Sequence, residues 1–206
     1  VARERIESGA RRHPVRPHRA KKTLPIVDAP CFTRLMKLYV MRHGPAEDQA
    51  ESGLDADRAL TASGRERVRA VAKALADEHE APLTIFTSPY VRCVQTAEII
   101  AIATKVAERG GRVEAKRDLA PGGDITRIAS VLAKNHEPRV LLCGHEPDVS
   151  HVVSHLLGKR LEIPFQKAMV IALQIRDAGE SRLRFILDPK SLTMDPDARK
   201  PDRKLG

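Results

Sequence analysis

Lys37-Leu38-Tyr39-Val40-Met41-Arg42-His43-Gly44 sets a short apolar run directly against a guanidinium, an imidazole and a glycine. A run of this length and apolarity reads as a strand buried on both faces. Open α/β sheets collect their chemistry at the carboxyl ends of such strands. Outward from this run, five further strands are expected over Leu83–Thr87, Arg112–Lys116, Arg139–Cys143, Ala168–Ile175 and Arg182–Leu187. Thr61 is placed to cap a helix reaching about His79, with Val68, Val71, Ala72 and Leu75 as its buried stripe. Helices are also expected over Tyr90–Thr104, Ile125–His136 and Val149–Leu157. This alternation predicts an α/β fold, a single-domain three-layer α/β/α arrangement around a mostly parallel sheet. Asp177-Ala178-Gly179-Glu180 reads as a hairpin turn between the last two strands, so the sheet should be mixed at one edge.

A chain of 206 residues with 42% hydrophobic residues fills one ordinary core. The folded part is expected over residues 36–187. Residues 1–35 read as a disordered basic tail (Arg11-Arg12-His13-Pro14-Val15-Arg16), and residues 188–206 as a second, Pro- and charge-rich one. A start at Met36 would leave the first tail upstream of the protein. No apolar stretch approaches the roughly 18–20 residues of a membrane span, and no apolar block follows the basic residues at the amino terminus. Cys31, Cys93 and Cys143 are odd in number and lack paired spacing, so neither disulfides nor zinc are expected. The cytoplasm is the expected compartment, without a membrane partner.

The net charge of +9 sits mostly in the first tail. Residues 1–35 hold nine Lys/Arg and three Asp/Glu, which leaves 27 against 24, or +3, for the rest. That excess suits small anions by steering. With no Trp, two Tyr and four Phe, stacking platforms are scarce, and nucleic acid is not an expected partner.

Two more segments carry groups of the same kind as Arg42 and His43. Arg92 lies in Thr87-Ser88-Pro89-Tyr90-Val91-Arg92, and His145 in Leu141-Leu142-Cys143-Gly144-His145-Glu146-Pro147, each at the end of a strand or the start of a helix. Alone, either arginine reads as a surface ion-pair residue and His145 as a loop histidine. Together, two histidines and two arginines are what is needed to hold a phosphoryl dianion and attack it.

These segments, with Arg58-Ala59-Leu60-Thr61-Ala62-Ser63-Gly64-Arg65 and the Ala120-Pro121-Gly122-Gly123-Asp124 turn, resemble the histidine phosphatase superfamily. Within this phosphoglycerate mutase-like group the resemblance, over about residues 37–187, is to the small SixA-type phosphohistidine phosphatases. It implies that His43 is the nucleophile and that Arg42, Arg92 and His145 surround the phosphoryl oxygens. It also implies Arg58 near the pocket. Cationic neighbours should keep the His43 imidazole neutral, and neither metal nor other cofactor is required. Ser88 is expected to offer a hydroxyl to the site or to cap the following helix. Glu146 is expected to orient His145, to bind the leaving group, or to be a solvated loop acid.

Mutases and acid phosphatases of this superfamily insert a long helical segment between the second arginine and the second histidine, bearing a glutamate that donates a proton. Here 52 residues separate Arg92 from His145, and one helix, one strand and another helix already occupy them. An alkoxide needs such an acid to leave; imidazole does not. The expected substrate is therefore phosphohistidine on a protein, such as a histidine phosphotransfer domain or a phosphocarrier, turned over by a monomer. Glu47, in Pro45-Ala46-Glu47-Asp48, is the candidate acid that would reopen small phosphomonoesters or phosphoglycerate mutation. Outside enzymes, a phosphate- or nucleic-acid-binding module is the competing class. His151 and His155, spaced i,i+4, are assigned to a partly buried helix face rather than to a metal, and Gly122-Gly123 to a turn that Asp124 ends by capping the next helix.

Overall fold

The computed structural model describes residues 35–134, 137–176 and 180–196. The opening run forms strand β1, Leu35–Arg42. It is followed by α1 (Ala62–Asp77), β2 (Thr84–Thr87), α2 (Val91–Ala103), β3 (Arg112–Ala115), α3 (Ile125–Lys134), β4 (Arg139–Gly144), α4 (Asp148–Leu157), β5 (Val170–Arg176), β6 (Ser181–Leu187) and β7 (Met194–Asp195). The strands make one sheet in the order β3-β2-β4-β1-β5-β6-β7. β3, β2, β4 and β1 are mutually parallel.

Strand alternation on β1 divides the core into two layers. Tyr39 and Met41 pack with Val68, Val71, Ala72 and Leu75 of α1 and with Cys93, Ala97 and Ile100 of α2. Leu38 and Val40 pack on the other face with Ile125, Ala129 and Leu132 of α3 and Val149, Val152 and Val153 of α4. The stripe expected on α1 is buried throughout, and Thr61 caps the helix by accepting from the Gly64 N–H at 3.0 Å. Asp124 likewise accepts from the Arg127 N–H at 2.9 Å at the head of α3. Cys143 is a buried core residue of β4.

The antiparallel part of the sheet is larger than the expected closing hairpin. β5 pairs antiparallel with β1 from Leu35↔Arg176 to Met41↔Val170, β6 pairs with β5, and β7 with β6. Residues 177–179 of the expected turn lie outside the described residues, as does His136, the expected end of α3.

Residues 188–196 of the expected second tail fold back onto the sheet. Asp188 Oδ1 accepts from the N–H groups of Lys190 and Ser191, and its Oδ2 accepts from Gln166. This side-chain turn, of the kind Asp forms with backbone two and three residues on, returns the chain so that β7 pairs with β6 and Met194 packs on the core. Residues 197–206 lie outside the described part. So do residues 1–34 of the expected amino-terminal tail; Leu35 already belongs to β1. Among the described residues no helix is long and apolar enough to cross a membrane.

Candidate active site

Three neighbouring parallel strands end together. β4 lies between β1 and β2, pairing Arg42 with Gly144 and Thr87 with Cys143. The residues that follow, His43, Ser88 and His145, therefore emerge side by side at the carboxyl edge. Backbone bonds continue the ladder past the strands: His43 N–H to Gly144 O at 3.1 Å, and Ser88 N–H to Cys143 O at 3.0 Å. From the antiparallel side the Ala168 N–H donates to the carbonyls of both Arg42 and His43. Ala168 does so with φ of 66°, a conformation uncommon for a residue with a side chain.

Gly44 is where the two helices of this face close on the site. A Cβ there would lie 2.5 Å from Val68 Cγ2, and the Gly44 N–H donates to Thr96 Oγ1 of α2. Gly64 of α1 lies against the next residue of the loop, since a Cβ at that position would come within 2.0 Å of the Pro45 carbonyl oxygen.

His43, Arg92 and His145 are all buried, and the two imidazole centroids are 5.3 Å apart. His43 Nδ1 is 2.7 Å from its neighbour's carbonyl oxygen, Gly44 O. A carbonyl only accepts, so Nδ1 carries the proton and Nε2 keeps its lone pair. Arg92 Nη2 lies 3.3 Å from His145 Nδ1, and His145 Nε2 lies 2.8 Å from Ser88 Oγ. The guanidinium donates into Nδ1, so the His145 proton resides on Nε2 and is donated to the hydroxyl. Ser88 also accepts from the Tyr90 N–H just ahead of α2, whose N-cap position, Tyr90, has no side-chain cap.

Both imidazoles are held neutral. Burial is the largest cause for His43, followed by the charges of Arg92, Arg42 and Lys167, and together they outweigh the Gly44 hydrogen bond to bring it down to about 4. Burial, then His43, Arg92 and Arg42, bring His145 down to about 3 against an opposing pull from Asp55. Desolvation thus does more than the cationic neighbours that the sequence suggested.

The remaining candidates divide. Arg42 is half-buried, donates from Nη1 to Phe165 O at 2.8 Å, and acts on the two imidazoles through its charge. Arg58 reaches the rim: its Nη1 donates to Asp55 Oδ1 at 2.7 Å and its Nε to Glu47 O at 2.6 Å. Glu47 serves there through its backbone, with its side chain exposed. The role of orienting His145 does not fall to Glu146, whose carboxylate accepts from the N–H and hydroxyl of Ser150 and so holds the first turn of α4. His151 and His155 are exposed on α4, not partly buried.

Three contributors went unread. Asp55 binds Arg92 through Oδ2 at 2.9 Å and through its backbone carbonyl at 2.6 Å. Tyr90 sets its ring edge-on to His145 at 5.1 Å, with Arg92 Cζ 5.0 Å from the same ring. Cys93 Sγ is 3.4 Å from His145 Nε2. Tyr90 and Cys93 flank Arg92 within one turn of chain, and Asp55 stands three residues before Arg58, so spacing offered a signal for each.

Two neutral imidazoles among guanidinium groups at the carboxyl edge of a parallel sheet define an α/β enzyme for tetrahedral oxyanions. The model of the histidine phosphatase superfamily (branch 1) matches residues 38–119. The chain is 37% identical over 156 residues to a protein of Picosynechococcus sp. described as uncharacterized, covering 72% of this chain and 89% of that one. It is 31% identical over 157 residues to the phosphohistidine phosphatase SixA homolog of Haemophilus influenzae, covering 72% and 93%. A solved structure of the protein histidine phosphatase SixA complexed with tungstate superposes with a TM-score of 0.70 at 24% identity, over 77% of this chain and all of the other, which shows the shared fold. The chain belongs to the histidine phosphatase superfamily, and it is a phosphatase.

Proposed function

We propose that this protein removes phosphate from phosphohistidine on a partner protein, with His43 carrying the phosphoryl group between substrate and water. His43 Nε2 attacks phosphorus as the substrate N–P bond breaks, and the bonding pair returns to the departing imidazole. Water then cleaves the bond to His43, so one displacement becomes two easier ones. Arg92 and Arg42 donate to the equatorial oxygens as negative charge spreads over them. His145 keeps its Nε2–H on Ser88 and accepts from Arg92 at Nδ1, which holds that guanidinium beside the phosphoryl group.

The observation that carries the substrate class is the state of the one carboxylate hydrogen-bonded to these side chains among the described residues, Asp55. Hydrogen bonds from Arg58 and then Arg92 hold it below the usual carboxylate range, so it is ionised and has no proton to give. An alkoxide leaving group lacks its acid here, whereas imidazole leaves without one. The relative and the solved structure named SixA agree with this reading. Its expected partner is a soluble phosphohistidine protein met at an open rim, and its expected compartment is the cytoplasm.

The test is a substrate panel beside rapid-quench labelling. The protein should dephosphorylate a phosphohistidine protein at least about 100-fold more efficiently than glycerol phosphate, a difference of about 3 kcal/mol in transition-state binding. Acid-labile phosphate should appear on the enzyme during turnover. Equal efficiency on both substrates removes the argument from the leaving group, and turnover without any labelled intermediate removes His43 as carrier.

A further inference from the structure

Asp55 occupies the edge of Arg92 that a phosphoryl group would use. Its Oδ2 and its backbone carbonyl take Nη2 and Nη1 together, the two-point contact that a guanidinium offers to phosphate. The two partners differ in setting: the Arg92 side chain is 5% exposed and that of Asp55 is 52% exposed. Its other oxygen is tied to Arg58, which is itself anchored on Glu47 O. A phosphoryl group arriving at Arg92 thus releases Oδ2 at the mouth of the site, while Oδ1 stays on Arg58.

We infer that Asp55 selects the leaving group: displaced from Arg92 by the phosphoryl oxygens, its freed carboxylate oxygen accepts the N–H of the substrate imidazole. This inference rests on the phosphohistidine reading above. Phosphoimidazole leaves well only when its second ring nitrogen is protonated, since the product is then neutral imidazole rather than an anion. In the transfer the His43 Nε2–P bond forms, the substrate N–P bond breaks with its pair going to that nitrogen, and the second nitrogen keeps its proton. A carboxylate beside this ring favours the protonated form by a charge-assisted hydrogen bond. The same carboxylate beside an alkoxide repels the negative charge that develops on it. One residue therefore favours one substrate class and opposes the other. The charged groups facing Asp55 are Arg58 and Arg92, with the neutral His145 ring behind them.

The experiment compares wild type with Asp55→Asn and Asp55→Ala on a phosphohistidine protein and on glycerol phosphate, and measures inhibition by inorganic phosphate. For both variants kcat/KM on the phosphohistidine protein should fall about tenfold or more, the loss expected for one hydrogen bond to a charged group. On glycerol phosphate it should hold or rise, and inorganic phosphate should inhibit more tightly because Arg92 no longer has a resident competitor. A rise on both substrates makes Asp55 a plain blocking counter-ion and overturns the inference. An equal fall on both, with lowered thermal stability, makes it a structural tie and overturns it too. A wild type inactive on the phosphohistidine protein while turning over glycerol phosphate defeats the phosphohistidine reading itself; with an active wild type, variants whose ratio between the two substrates equals the wild-type ratio defeat this inference alone.

Discussion

The two ends of β1 solve opposite problems with similar residues. At its start, Glu80 gathers Lys37 Nζ at 3.1 Å, the Tyr39 hydroxyl at 2.7 Å and both terminal nitrogens of Arg184, on β6, at 2.6 and 2.7 Å. At its finish, Arg42 and His43 stand among further cations, and Asp55, the carboxylate bound to neighbouring Arg92, comes from an exposed loop. Burial raises a carboxylate, yet at Glu80 the hydrogen bonds from Arg184, Tyr39 and Lys37 outweigh it and pull the group down to about 2. Burial and the Glu80 carboxylate push the Tyr39 phenol up. At the other end burial works with the cations and forces two imidazoles neutral. One end is matched for stability; the other is left mismatched, as sites built for an anion are.

The sharpest way to break this contrast is at the finish. His43→Ala should lower turnover by about six orders of magnitude, the scale seen when a covalent nucleophile is removed, with thermal stability held or raised because a buried, desolvated group has gone. A variant that turns over at near wild-type rate places the nucleophile elsewhere. The complementary change is Glu80→Gln, which leaves Lys37 and Arg184 partly buried without their counter-charge. It should cost about 3 kcal/mol, read as a melting temperature lower by about 10 °C, while kcat/KM of the folded enzyme is unchanged. A loss of activity without a loss of stability would mean that the two ends are coupled.

Acid separates the ends by a smaller margin. The imidazoles have folded values near 4 and 3 against an ordinary 6.5, so the unfolded chain binds more protons and stability falls as pH drops from 6.5 toward 3. Glu80 has a folded value near 2 against 4.5, so its contribution is full above 4.5 and is lost as pH falls toward 2. Glu80→Gln should remove the lower of these windows from a stability-against-pH curve and leave the upper one. Turnover of the wild type should decline only as pH falls through about 4, where His43 takes up a proton on Nε2.

What could be read from the chain follows the same divide. The four-residue constellation was readable because each member sits within two residues of a strand end or a helix start, and β1, β2 and β4 bring those ends together without further instruction. The burial pattern of α1 was readable from its period. The Glu80 centre was not: its partners lie 43, 41 and 104 residues away, so no local pattern announces it. Asp55 escaped for a related reason, since a loop's path decides which cation a carboxylate meets, and only its spacing to Arg58 is local. β7 was missed because Pro and charge suggested solvation, whereas Asp188 folds the chain back on itself.

Gly44 and Gly64 bear on how such a chain can diverge. Helix α1 is pressed so closely on the turn that follows β1 that no side chain fits at either glycine without displacing it. Residues 47–55, by contrast, are mostly exposed and form the rim beside Arg92. Divergence therefore has little freedom in the motif and much in this loop, where insertions and charge changes can reshape the rim while Arg42 and His43 stay in place.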